Sequence, residues 1–88
     1  MNEHMRLLGT KVHDKVTGFS GVVSSVSFDL YGCVQVIVTP GLDKDGKHQD
    51  GHWFDAKRLV VDDAKPVMEV PTFETVPGGQ ELPSQDRY

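Results

Sequence analysis

The chain has 88 residues, a single cysteine (Cys33), a net charge of −4 and no apolar run longer than three residues. Those figures exclude an internal disulfide and a membrane-spanning helix, which needs about 20 apolar residues. They leave one small domain able to bury only about 60 to 65% of the surface that its unfolded form exposes.

Residues 1–7 lack strand or turn signals and read as an N-terminal arm. Thr10-Lys11-Val12-His13-Asp14 predicts a first short strand. Val16-Thr17-Gly18-Phe19-Ser20-Gly21 then predicts a turn that uses the conformational freedom of glycine. From Val22 to Phe28 the chain is rich in Val and Ser, with Val22, Val26 and Phe28 on one parity, as in a half-buried strand. Asp29-Leu30-Tyr31-Gly32 turns the chain, and Cys33 to Thr39 returns with Val34, Val36 and Val38 on one face and Cys33, Gln35, Ile37 and Thr39 on the other. Pro40 cannot donate to a ladder and closes that strand. Gly41 to Gly51 is a polar loop with an Asp45-Gly46 turn signal, and His52-Trp53-Phe54 opens a fourth strand.

The segment Asp55-Ala56-Lys57-Arg58 predicts a 3₁₀ turn capped by Asp55, with Leu59-Val60-Val61 as the closing strand. Since neighbours on a strand alternate, one of Trp53 and Phe54 faces the core and the other faces solvent. The expected core is Val12, Val22, Val26, Val34, Val36, Val38, Leu59 and one of these two aromatics. Residues 1–61 balance seven acidic side chains against seven basic ones, so the net charge resides in residues 62–88, which also hold Pro66, Pro71, Pro77, Pro83 and Gly78-Gly79. That composition predicts an extended or flexible acidic tail.

The segment "GTKVHDKVTGFSGVV" resembles the opening hairpin of SH3-like barrels, including KOW-type modules. The succession "KVTGFSGVV", "YGCVQVIVTP", "DKDGK" and "HWFDAKRL" is similar to small uncharacterised proteins encoded by bacteriophages, prophages and mobile elements. The resemblance implies an all-β, five-stranded SH3-like barrel over residues 8–61. It also implies a phage or mobile-element accessory protein in the cytoplasm of a bacterial host cell. It brings no established activity.

No motif fixes a chemistry. Asp43-x-Asp45-Gly46 begins like a calcium loop, but the glycine comes two residues early and position twelve is Phe54. His48 and His52, with Cys33 or His13, have separations zinc can use, yet they flank a turn and share no helix face. Cys33 with a histidine base and Asp55 would imitate a nucleophilic site, but a cysteine among strand valines is ordinarily a packing residue. The expectation is therefore a non-enzymatic module with no catalytic residue, metal or cofactor. Its partner is a host or phage protein, or a second copy of itself. The expected partner-binding residues are Phe19, Tyr31, Gln35, Trp53, Lys15 and Arg58, because small β domains recognise partners through loop-borne aromatics and open edges.

Two other readings stand beside that one. A nucleic-acid module would use Lys11, Lys15, Lys57 and Arg58 with aromatic stacking, although the neutral body and acidic tail disfavour phosphate. A small-ligand sequestering protein would use Lys15, Gln35 or Arg58. Self-association is expected through the Ile37–Gln35 face, with Val67, Val70 or Phe73 of the tail as its competing cover.

Overall fold

The computed structural model describes residues 3–73, and they form a single antiparallel sheet. Its strands are β1 (Lys11–Asp14), β2 (Ser20–Phe28), β3 (Val34–Thr39), β4 (His52–Asp55) and β5 (Leu59–Asp63). A 3₁₀ helix, Glu3–Leu7, occupies the segment expected as an arm, and a 3₁₀ turn, Ala56–Arg58, joins β4 to β5. The strands lie in the order β4-β3-β2-β1-β5. The tail expected over 62–88 is described only as far as Phe73; the rest lies outside the described residues.

This sheet corrects the expectation of an SH3-like, KOW-type barrel. A barrel needs an unbroken ladder around its circumference, whereas β4 pairs with β3, β5 pairs with β1, and no ladder joins β4 to β5 among the described residues. Each edge strand is short and spends its register on one neighbour. The turn at Ala56–Arg58 carries the chain from one edge strand to the other without a ladder between them.

The turn itself forms as its sequence demands. Asp55 has extended backbone angles and its carboxylate accepts the Lys57 N–H at 2.8 Å, while Leu59 N–H closes the turn on the Ala56 carbonyl.

Val12, Val23, Val36 and Val38 are the fully buried apolar residues, and Leu7, Leu8, Phe19, Val26, Phe54 and Leu59 pack around them. Val12, Val36 and Val38 are where alternation places them. Val22 and Val34 are only half-buried, and Val23 takes the place expected for Val22. The cause is a β-bulge. Val23 lies opposite Val38 and Ser25 opposite Ile37, so Ser24 has no opposite residue and the parity of β2 reverses there. Val23 and Val26, three apart, thereby both reach the core.

On β4, Phe54 lies opposite Val36 and faces inward, whereas Trp53 lies opposite Ile37 and is exposed. At Gly21 the β2 backbone runs so close to β3 that a Cβ there would come within 2.4 Å of the Thr39 carbonyl oxygen, which fixes the start of the β2–β3 pairing.

Truncating Val36 to Ala is expected to lower stability by about 1 to 3 kcal/mol, and Val23→Ala should cost more than Val22→Ala. Equal urea midpoints for the last two variants would refute the bulge. Asp55→Ala is expected to cost about 1 kcal/mol through the lost cap, read as a lowered melting temperature.

Candidate functional site

The turn from β1 to β2 is built around Asp14. Alternation along Thr10, Val12 and Asp14 points all three side chains inward, and Asp14 is fully buried. Gly18, at φ 82°, lets the chain reverse: its N–H donates to the Asp14 carbonyl at 2.8 Å, and Asp14 N–H donates to the Phe19 carbonyl at 2.8 Å. The Thr17 N–H and hydroxyl both donate to Asp14 Oδ2, at 2.9 and 2.5 Å. Arg58, brought across by the β1–β5 pairing, donates through Nε to Oδ1 at 2.8 Å and through Nη2 to Oδ2 at 2.6 Å.

This is a two-pronged guanidinium–carboxylate pair, the strongest hydrogen-bonded form of an ion pair. Arg58 first, and Thr17 after it, hold the Asp14 carboxyl well below the usual carboxylate range, against the opposing effect of burial; Arg58 is raised in turn by Asp14. These bonds hold the carboxylate in its ionised form, so the pair braces the fold. Aromatic rings extend the brace outward. The Arg58 guanidinium lies 5.3 Å from the Phe54 ring centre, Phe54 lies 5.3 Å from Phe19, and His52 meets Phe19 edge-on at 5.4 Å.

The opposite kind of surface lies at the β2–β3 turn. Asp29 Oδ1 accepts the N–H groups of Tyr31 and Cys33 at 2.9 and 3.0 Å, Asp29 N–H donates to the Cys33 carbonyl, and Gly32, at φ 91°, donates to the Asp29 carbonyl. One aspartate thus fixes the whole tip. The two residues carried at its apex, Leu30 and Tyr31, are 90% and 88% exposed. A shallow groove of about 250 Å³ leads from Tyr31 past Val34 to Asp55 and Lys57.

The six residues expected to bind a partner are therefore dispersed. Phe19 and Arg58 belong to the brace: Phe19 is half-buried against Phe54, and Arg58 is committed to Asp14. Tyr31 stands on the tip. Trp53 is exposed on the outer face of the sheet, and Gln35 is exposed opposite Asp55. Lys15 is exposed beside Arg58, whose carbonyl accepts its N–H at 2.8 Å. Lys11 lies opposite Asp63, at the other end of β1 from Lys15.

Among the described residues no group of three or more His, Cys, Asp or Glu side chains is placed to hold a metal. His13 Nδ1 is 2.8 Å from Asp62 Oδ1, and His52 packs on Phe19. Asp43 Oδ1 accepts the N–H groups of Asp45 and Lys47, so the calcium-like segment is a turn closed by its own backbone. Cys33 is an exposed free thiol.

Two important residues escape a sequence reading. Asp14 looks like an ordinary strand-end acid, although the following Thr17-Gly18 is the signal of a carboxylate-anchored turn. Leu30 passes for filler, although an apolar residue at a turn apex is itself unusual.

No protein-family model, curated protein or solved structure matches this chain. The resemblance to phage, prophage and mobile-element proteins is thus unsupported, and with the barrel absent the viral assignment is withdrawn.

Folding stability should follow the Asp14 carboxyl. Its folded value lies below the ordinary 3.8, so below that pH the unfolded chain binds a proton that the folded chain refuses. The stability contributed by the pair is complete above 3.8 and is lost as the pH falls toward the folded value. Asp14→Asn should lower the urea midpoint at neutral pH and flatten its fall in acid. An identical profile from about pH 7 to about pH 2 in both proteins would show that Asp14 does not carry this dependence.

Proposed function

We propose that this protein is a non-enzymatic protein-interaction module whose contact site is the tip at Leu30 and Tyr31. The supporting observation is the combination of near-complete exposure with a fixed backbone. Two large apolar side chains stand in solvent on a turn locked by Asp29. A locked turn loses little conformational freedom on docking, so more of the contact energy appears as affinity. Tyrosine is also among the residues that dominate interface energetics. The groove toward Asp55 and Lys57 gives a partner side chain a place beside the aromatic ring.

Nucleic-acid binding is less well supported, because Arg58 is paired with the Asp14 carboxylate and Lys11 lies opposite Asp63. A cytoplasmic setting agrees with an exposed unpaired thiol. No helix among the described residues is long and apolar enough to cross a membrane.

The test compares full-length protein with a Leu30→Ala/Tyr31→Ala double variant, each immobilised and exposed to lysate of cells that express it, with and without nuclease treatment. Proteins retained by the parent are expected to be lost, at least tenfold by mass spectrometry, with the variant, while the melting temperature stays within about a degree because both residues lie outside the core. Equal retention by both proteins sinks the tip as the contact site. Binding that disappears on nuclease treatment alone favours nucleic acid.

A further inference from the structure

Beyond β5 the chain leaves the ladder and makes one further backbone bond to the segment before β1. Lys11 lies opposite Asp63 at the end of the β1–β5 ladder. Lys65 N–H turns back to Asp63 Oδ1 at 3.0 Å, and Pro66 has no N–H to contribute. Val67 then donates its N–H to the Gly9 carbonyl at 2.9 Å. Gly9 N–H in turn donates to the Val23 carbonyl at 2.8 Å. Gly9 therefore bonds to β2 through its N–H and to Val67 through its carbonyl. Residues 64–73 thus form an irregular strap held to the segment before β1 by this backbone bond.

The strap is specifically seated but loosely covered. Gly9 has φ +82°, and a Cβ there would lie 3.1 Å from Pro66 Cβ, so seat and strap meet where only glycine fits comfortably. The strap side chains nonetheless remain largely in solvent: Val67, Met68 and Phe73 are each more than half exposed. Unfilled grooves of about 510 and 340 Å³ run along it, walled on one side by Val70 and Phe73 and on the other by Met5, Leu8 and Val22. A segment with a precise backbone latch, exposed apolar side chains and a proline hinge at Lys65-Pro66 has little to lose by leaving its own seat.

From these features we infer that residues 64–73 are an exchangeable strap, and that a second copy of this chain places its strap on the same seat to give a reciprocal dimer. The donated strap makes the same contacts, including the Val67 to Gly9 bond, so the monomer's advantage is only the high effective concentration of its own segment. Exchange of identical elements is a low-cost route to two-fold dimers. It also draws two bodies together where the unfilled apolar grooves lie. The surface is separate from the tip at Leu30 and Tyr31.

The experiment mixes two full-length chains that each carry one cysteine, Cys33→Ser/Gly9→Cys and Cys33→Ser/Pro66→Cys. Any disulfide between them is intermolecular, and the seated geometry brings these positions close to the Cβ separation of a disulfide. Under mild oxidation the 9–66 heterodimer is expected to exceed, several-fold, the heterodimer of the Gly9→Cys chain with a chain retaining only Cys33. The excess should vanish when the Pro66→Cys chain also carries Val67→Pro, which removes the latch donor. Equal yields in the two mixtures overturn the proposal. If Gly9→Cys does not fold, light scattering on the unmodified chain and on Val67→Pro decides. A concentration-dependent dimer lost in Val67→Pro supports exchange, and a monomer throughout, or equal dimerisation of both, overturns it.

Discussion

The buried pairing of Asp14 with Arg58 is the constraint on which the rest of the molecule depends. Four valines make a thin core, each contributing about 1.5 to 3 kcal/mol on burial. An ionised carboxylate placed beside them would be strongly unfavourable without compensation. Arg58 and Thr17 supply that compensation, and in doing so they tie together three separate pieces of chain: the end of β1, the turn into β2 and the turn before β5. Replacing such a pair by apolar groups can be harmless, but removing one partner strands the other. The two positions are therefore locked to each other more tightly than either is to the fold.

The same pair decides what the surface can do. With Arg58 paired to Asp14 and lying over the Phe54 ring, the strongest candidate cation is committed in part to the fold, and Phe19 packs on the same ring. What stands out at the β2–β3 tip is the exposed pair Leu30 and Tyr31. Two features of sequence that look equivalent, an aromatic in a Gly-flanked turn at Phe19 and another at Tyr31, thus acquire opposite fates. Phe19 has a partner across the sheet in Phe54, and the Asp29 turn holds Tyr31 up where none reaches it.

Strand composition and the capped turn at Asp55 were legible because they depend on local physics: period-two alternation, glycine and proline punctuation, and a carboxylate that reaches its own backbone. All five strands can be located that way to within a few residues. The choice of Val23 over Val22 was not legible, since the Ser24 bulge exists only because β3 lies alongside, and one extra residue reverses a parity that the sequence alone presents as regular. Closure of the sheet was not legible either. The resemblance suggested a barrel, while the presence or absence of a β4–β5 ladder depends on geometry that no alternation records. The tip was half legible: Tyr31 drew notice as an aromatic, Leu30 did not, and the turn that presents both reads simply as polar.

An open sheet leaves two rows of unpaired amide and carbonyl groups, and the residues along them bear on how the protein behaves in concentrated solution. One edge, β4, is only four residues long and ends in Asp55; the other, β5, ends in Asp62 and Asp63. Brevity and negative charge are the usual guards against strands of different molecules zipping together. Both guards on β5 are carboxylates, so the protection is electrostatic and weakens in strong salt or acid. The colloidal behaviour of this molecule is thus governed from its margins, by a few carboxylates at the ends of its edge strands.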